Sequence, residues 1–175
     1  MKGTIDASIP HAAEIILQDQ KELAEHVTIV DLIRNDLSTV AGEVSVDRFR
    51  YIEKITSPDR ELLQVSSSIR GTVASYYSSR PGDLLVALLP AGSVSGAPKK
   101  KTMQIIAESE GEPRGYYSGI FGIYDDGNID SGVMIRFIEE QNGRYYYRSG
   151  GGITARSEVQ KEYQEVIDKI YVPVS

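Results

Sequence analysis

The fold of this chain is decided by one run of small residues, Pro90-Ala91-Gly92-Ser93-Val94-Ser95-Gly96-Ala97-Pro98-Lys99. Glycine and serine let the backbone approach a ligand closely, and proline suits the first position of a helix because its missing N–H would have no partner there. Residues 99–107 carry apolar side chains at helical spacing. The run therefore predicts a loop that enters a helix, and the free amides at that helix start form either an anion site or an ordinary helix cap.

Composition limits the possible functions. The chain has 175 residues, of which 41% are apolar and 25% charged, as in a globular domain with a core. Its 25 acidic and 19 basic residues give a net charge of −6, which argues against a nucleic-acid-binding surface. No apolar run reaches membrane-spanning length, and the lack of cysteine excludes disulfides and thiolate metal sites. We therefore expect a cytoplasmic protein that binds neither nucleic acid nor membrane.

Apolar periodicity and turn residues predict an α+β fold with antiparallel hairpins. Asp19 with Glu22, and Ser157 with Gln160, are spaced as capping boxes that start two helices. The segments 125–127 and 141–143 have the composition of hairpin turns, and 80–82 that of a simple turn. Predicted helices cover residues 11–17, 20–37, 83–89, 99–107 and 158–170, and predicted strands cover residues 44–55, 61–73, 119–124, 132–138 and 144–149.

Two pairs of glutamates stand on two of the predicted helices, Glu22 with Glu25 and Glu162 with Glu165. Residues three apart share a helix face. Such pairs are common on solvated helix surfaces, since glutamate is a good helix former that is mostly exposed. The alternative is a magnesium site, because Mg²⁺ prefers oxygen ligands and is usually held by one or two carboxylates with water and substrate oxygens.

Arg136 lies within the predicted strand 132–138, among apolar residues. A guanidinium in such a place can grip a carboxylate with two hydrogen bonds. It can equally point to solvent or pair with an acid of the same protein. The residue alone does not decide between a substrate contact and a structural one.

The sequences of several segments, taken in order along the chain, resemble those of the chorismate-utilising enzymes. This family includes the large subunits of aminodeoxychorismate and anthranilate synthases and the isochorismate and salicylate synthases. In the small-residue run, Ser95 replaces the family's threonine and keeps the hydroxyl. The other segments that carry the resemblance are Ala24-Glu25-His26 and its continuation to Leu37, Arg114-Gly115-Tyr116-Tyr117-Ser118-Gly119, Ile135-Arg136-Phe137, Gly150-Gly151-Gly152-Ile153 and Glu162-Tyr163-Gln164-Glu165.

The resemblance implies a fold of paired sheets wrapped by helices, of which residues 1–175 would be the C-terminal portion of a chorismate-binding catalytic domain without its N-terminal half. It implies that Glu25 and Glu165 bind Mg²⁺ directly, and that Glu22 and Glu162 act through water. The residues it implies for chorismate binding are Ser95, Gly96, Tyr117, Arg136, Gly150 and Gly152.

Lys2, in Lys2-Gly3-Thr4, resembles the lysine of the aminodeoxychorismate-forming branch, where the anthranilate and isochorismate branches usually have alanine. The resemblance implies that its neutral amine attacks C2 of chorismate, with loss of the C4 hydroxyl. Ammonia from a separate glutamine amidotransferase subunit then adds at C4 and expels the lysine. The expected product is 4-amino-4-deoxychorismate, a precursor of the folate pathway.

Two alternatives stay open, an anthranilate synthase component I and a truncated fragment that binds but does not catalyse. Two departures from the family pattern bear on the mechanism. The stretch 5–8 lacks the basic residues that often follow the Lys-Gly-Thr motif. Gln64 replaces a histidine near the reacting hydroxyl, and an amide cannot transfer a proton near neutral pH.

Overall fold

The computed structural model describes residues 4–56, 61–154, 157–168 and 170. The chain divides into two compact units, Met1–Ile106 and Ala107–Ser175. The proposed nucleophile Lys2 lies outside the described residues.

The α+β class predicted from the sequence is confirmed, with antiparallel strands and helices in one chain. In chain order the elements are β1 (Thr4–Asp6), α1 (Ala12–Gln18), α2 (Gln20–Ser38), β2 (Ala41–Thr56), β3 (Glu61–Val73), a 3₁₀ turn (Ser75–Ser79), α3 (Pro81–Leu88), α4 (Gly92–Ser95), α5 (Lys99–Glu110), β4 (Ile120–Asp125), β5 (Asn128–Val133), β6 (Phe137–Gln141), β7 (Arg144–Arg148) and α6 (Val159–Asp168).

The first unit is built on a three-stranded antiparallel sheet with the order β1-β3-β2. Helices α1 and α2 pack on this sheet. Within the described ranges, the buried apolar side chains all belong to this unit, namely Ala12, Ile16, Val30, Val40 and Val65. These side chains come from both helices, from the connection after α2 and from β3, so the core lies between the helices and the sheet.

The long strand β2 is irregular, with register shifts against β3 on either side of Arg48. Arg50 lies within the second of these shifts and has a φ of 49°. Its guanidinium donates to the carbonyls of Leu17 and Ile16 at 2.9 and 3.3 Å, the last turn of α1. A bulge therefore turns one strand residue toward a helix end, whose carbonyls would otherwise lack partners.

Helix α2 begins as predicted. The carboxylate of Asp19 accepts a hydrogen bond from the Glu22 amide at 2.9 Å, and Asp19 has the extended backbone of an N-cap. The predicted turn 80–82 is different, because Pro81 is already the first residue of α3. Proline fits there, where a helix leaves its N–H without a partner.

The second unit contains two hairpins, β4–β5 and β6–β7. Both predicted turns are confirmed, with Asp126 and Gly127 at φ 43° and 79°, and Asn142 and Gly143 at φ 54° and 73°. Two consecutive positive φ angles match the right-handed twist of the strands they join.

The prediction of one strand over residues 132–138 is wrong. Strand β5 ends at Val133 and β6 begins at Phe137, and Arg136 stands between them at a φ of 55°. Arg136 is therefore an exposed residue of a bend and is not part of a strand. The left-handed backbone at this position ends strand geometry, so the chain leaves one hairpin and enters the next.

Across the described part of the chain, no helix has the length and apolar character needed to cross a membrane.

The cap of α2 can be tested by replacing Asp19 with alanine. We expect the free energy of unfolding to fall by about 1 kcal/mol, because the Glu22 amide loses its acceptor. Urea denaturation followed by circular dichroism measures the change. Asp19→Asn is the matched control, since asparagine caps helices as well as aspartate does; an equal loss in both variants would contradict the cap.

Candidate functional site

The small-residue run is held to α2 by a single carboxylate. Asp36 Oδ2 accepts a hydrogen bond from the Gly92 amide at 2.9 Å, and Asp36 Oδ1 lies 2.5 Å from the Lys99 ammonium. Gly92 is buried, and a Cβ at that position would lie 2.8 Å from Asp36 Oδ2 and 3.1 Å from the Cβ of Leu32. The close approach of the two segments therefore requires glycine at position 92.

Between these two contacts lie the predicted binding residues Ser95 and Gly96. Ser95 is buried at 3% exposure, and its hydroxyl donates to the Gly96 carbonyl over a long 3.5 Å. Gly96 has a φ of 74°, which favours glycine. The structure adds a short helix, α4, that the sequence analysis did not predict, and it places the start of α5 directly after the loop.

In the second unit, Tyr117 meets the glycine segment 150–152, which belongs to no helix, strand or turn. A Cβ on Gly150 would fall on the Tyr117 hydroxyl, so the two residues are in direct contact. Burial raises the pKa of Tyr117 above its usual range, although the positive charge of Arg114 opposes that rise. The hydroxyl therefore stays protonated near neutral pH and remains a hydrogen-bond donor.

Two arginines accompany Tyr117. The Arg114 guanidinium lies 5.5 Å from the Tyr117 ring centroid, and it is fixed by Glu110 at 2.6 and 2.8 Å and by the Ser118 hydroxyl at 2.9 Å. The bond from Arg114 lowers the pKa of Glu110, so this pair is charged at neutral pH. Arg136 is close enough that its charge also lowers the pKa of Tyr117. Tyr117 thus contacts Gly150, and the charge of Arg136 acts on it.

The same glycine segment meets helix α6. A Cβ on Gly151 would lie 3.5 Å from Val166 Cγ2 and 3.9 Å from Glu162 Oε2. The Ser157 hydroxyl donates to Glu162 Oε1 at 2.7 Å and accepts from the Thr154 amide at 2.9 Å. Ser157 was predicted to pair with Gln160, and its observed partners are these two instead. Glu162 Oε2 is buried and has no hydrogen-bond partner among the described residues.

The four predicted metal carboxylates are all half-buried, Glu22 and Glu25 in the first unit and Glu162 and Glu165 in the second. Within the described ranges, no three His, Asp or Glu side chains lie close enough together to form a metal centre. The donor chemistry fits Mg²⁺ nevertheless, because these are hard oxygen donors and one buried Glu162 oxygen lacks a described partner. The metal site stays a prediction.

A polar cluster on the β2–β3 ribbon was missed by the sequence analysis. The Ser66 hydroxyl, 3% exposed, bonds to Glu53 Oε2, and the Tyr51 hydroxyl donates to Glu53 Oε1 at 3.3 Å. Gln64 lies directly opposite Glu53 in the register, and its amide reaches Ser66 Oγ at 3.4 Å. The period-2 alternation of the two strands was the available signal, but the pairing that joins them is visible only in the folded chain.

His26 lies at the same ribbon. Its Nε2 is 2.7 Å from the Ser67 hydroxyl, and its ring meets the Phe49 ring edge to face at 5.8 Å. Burial lowers the pKa of His26, and the nearby Arg50 charge lowers it further. His26 is therefore a neutral, hydrogen-bonded side chain near pH 7.

With this geometry in place, the fold and the motifs define a class of protein. The model of the chorismate-binding enzymes matches residues 1–175, and the chain belongs to that family.

Comparison with individual proteins adds detail. The chain is 57% identical over 174 residues to an uncharacterised PabA-like protein of Pasteurella multocida, covering 99% of the chain and 54% of that protein. It is 43% identical to the anthranilate synthase component 1 of Synechocystis, covering 90% of the chain and 31% of that protein. The chain thus spans about half the length, or less, of these curated relatives.

Among solved structures, the menaquinone-specific isochorismate synthase of Escherichia coli is similar with a TM-score of 0.77 at 21% identity. The similarity covers 95% of this chain and 38% of that one. At this identity the similarity shows the fold alone, which is that of a chorismate-utilising enzyme.

The contact between Gly150 and Tyr117 can be tested with Gly150→Ala. We expect a loss of about 1–3 kcal/mol in the free energy of unfolding, because the new methyl group overlaps the hydroxyl. In a Tyr117→Phe background the loss should shrink. Denaturant unfolding of the four proteins measures the coupling.

Gly132→Ala is the control, because a Cβ at that strand position meets no atom within 4 Å. An equal penalty for Gly150→Ala with and without the Tyr117 hydroxyl would contradict the contact.

Proposed function

We propose that this chain forms the C-terminal half of a chorismate-utilising catalytic domain in an enzyme that aminates chorismate to 4-amino-4-deoxychorismate. The observation that carries the proposal is the contact of Tyr117 with Gly150, with Glu162 beside the neighbouring Gly151 and the charge of Arg136 acting on Tyr117. The family match over the full 175 residues supports it.

Chorismate has two carboxylates, and the site residues divide between them. A protonated Tyr117 hydroxyl donates a hydrogen bond to the enolpyruvyl carboxylate, and the Arg136 guanidinium neutralises its charge. Glycine at positions 150 and 152 lets the backbone amides of this segment approach the same carboxylate. Charged hydrogen bonds of this kind are the strong ones, so they orient the substrate.

The ring carboxylate is assigned to the metal end. Glu25 and Glu165 would hold Mg²⁺, and Glu22 and Glu162 would act through water. When bound, Mg²⁺ supplies positive charge that anchors and polarises this carboxylate. All four carboxylates are half-buried, and in this assignment only two of them bind the ion directly. Because the protein supplies so few direct ligands, we expect Mg²⁺ to bind weakly without substrate.

Amination at C4 requires loss of the C4 hydroxyl. In the proposed route, the Lys2 amine bonds to C2 as the hydroxyl leaves C4, and ammonia then bonds to C4 as the lysine leaves C2. The departing hydroxyl needs a proton, which Gln64 cannot give. The Lys2 nitrogen becomes a secondary ammonium when it bonds to C2, and the proton that it then releases balances the hydroxide, which leaves as water. Ammonia would come from a glutamine amidotransferase subunit, and the enzyme would act in the cytoplasm.

An anthranilate synthase component I is the second candidate, favoured by the 43% identity to the Synechocystis protein. That activity aminates C2 and then eliminates pyruvate. The two candidates give different products from the same substrates.

The product decides between the candidates. The full-length gene product is incubated with chorismate, Mg²⁺ and ammonia, with and without an aminodeoxychorismate lyase. We expect 4-aminobenzoate only when the lyase is present. Anthranilate formed without the lyase would favour the second candidate, and failure to consume chorismate would overturn both.

The 175-residue chain assayed alone should be inactive, because the chain spans about half the length of the Pasteurella relative. Turnover by the chain alone would count against the proposal that it is half of a catalytic domain.

The metal assignment is tested with Glu165→Gln in the full-length protein. Removing one carboxylate charge should raise the Mg²⁺ concentration for half-maximal activity by about tenfold or more, since a direct ligand is weakened. Glu158→Gln is the matched control, because its side chain is exposed and, among the described residues, pairs with Lys161 at 2.7 Å. An unchanged Mg²⁺ requirement in Glu165→Gln would remove Glu165 from the metal site.

A further inference from the structure

We infer that Asp36 is a positioning residue that fixes the loop carrying Ser95 and Gly96 to helix α2, an inference that rests on the proposed function of this loop in substrate binding. The carboxylate has one oxygen on the Gly92 amide at 2.9 Å and the other on the Lys99 ammonium at 2.5 Å. The Asp36 side chain is 19% exposed and that of Lys99 31%. These are half-buried, charge-assisted bonds, which are stronger than exposed ones.

The positions of the two partners explain why one carboxylate controls the loop. Gly92 begins α4 and Lys99 begins α5, so the two contacts clamp the loop at both ends. Ser95 and Gly96 lie between the clamped ends. Helix α2, on which Asp36 stands, also carries Glu22 and Glu25. Asp36 therefore fixes the predicted substrate loop relative to the helix that carries two predicted metal carboxylates.

The Gly92 position shows that the clamp is tight. A Cβ there would be 2.8 Å from Asp36 Oδ2, so a larger residue would push the carboxylate away. Asparagine at position 36 cannot replace the carboxylate, because its amide nitrogen would face either the Gly92 N–H or the Lys99 ammonium, and both are donors. Lys99 would also lose its counter-ion and add an uncompensated positive charge at the loop.

The first experiment measures the clamp without any activity. Hydrogen exchange of the Gly92 amide is followed by NMR in the 175-residue chain. We expect exchange about ten- to a hundredfold faster in Asp36→Asn than in the wild type, because a bond to a charged acceptor is lost. Lys99→Met should leave the Gly92 amide protected, since the bond to Asp36 Oδ2 remains.

The matched control is Asp31→Asn, on the same helix, where the exposed aspartate lies 3.7 Å from Arg34 and accepts a long hydrogen bond of 3.5 Å from the Asn35 side chain. It should leave Gly92 exchange unchanged. Asp36→Glu keeps the charge but shifts the carboxylate by one methylene group, so we expect Gly92 exchange between that of the wild type and that of Asp36→Asn, and it replaces Asp36→Asn if that variant does not fold. Unchanged Gly92 exchange in Asp36→Asn, or in Asp36→Glu where it is the replacement, would overturn the clamp, whatever the enzyme's reaction is.

The second experiment uses the full-length protein and its kinetics. Loss of loop position should raise KM for chorismate about tenfold or more in Asp36→Asn, with a smaller change in kcat, because binding precedes chemistry. Asp36→Asn and the double variant with Lys99→Met should have similar KM values, since both partners act through one carboxylate. Faster Gly92 exchange with an unchanged KM would show that the clamp exists but does not position the substrate loop, which overturns the inference. A wild type that does not consume chorismate would instead refute the proposed function.

Discussion

The first unit depends on carboxylates and guanidinium groups that connect segments far apart in sequence. Asp36 joins α2 to both ends of the small-residue run, and Arg50 joins a bulge of β2 to the last turn of α1. Each of these groups is partly removed from water, so loss of its hydrogen bonds would lower the free energy of unfolding. The apolar core of this unit is small, and these polar bridges determine how its segments are arranged around that core.

Features that depend on near neighbours in sequence were predicted well. The Asp19 cap, the hairpin turns at Asp126-Gly127 and Asn142-Gly143, and most helices were found where expected, because local backbone preference and local hydrogen bonds decide them. The assignment of Tyr117, Gly150 and Arg136 to substrate binding stays a prediction, although the structure shows that Tyr117 contacts Gly150.

Features that depend on distant partners were not predicted. The bend at Arg136 lies in a segment whose apolar residues favour a strand, and only the pairing of β5 with β4 and of β6 with β7 shows where each strand ends. The hydrogen bond between Glu53 and Ser66 was also missed, because the two residues face each other across a strand pair whose register the sequence does not determine. The partners of Asp36 are separated from it by most of the first unit.

The topology of the two units has a consequence for the order in which the chain folds. Each hairpin of the second unit closes through a two-residue turn, and hairpins of this kind form in about 1–10 μs. In the first unit, Thr4 must find Gln64, so a long loop has to close before β1 gains any pairing. Contacts this distant in sequence slow folding, which makes β1 a late element and leaves the edge of β3 open until the rest of the sheet has formed. During synthesis on the ribosome, the segment that carries Thr4 therefore waits for β3 to emerge before it can pair.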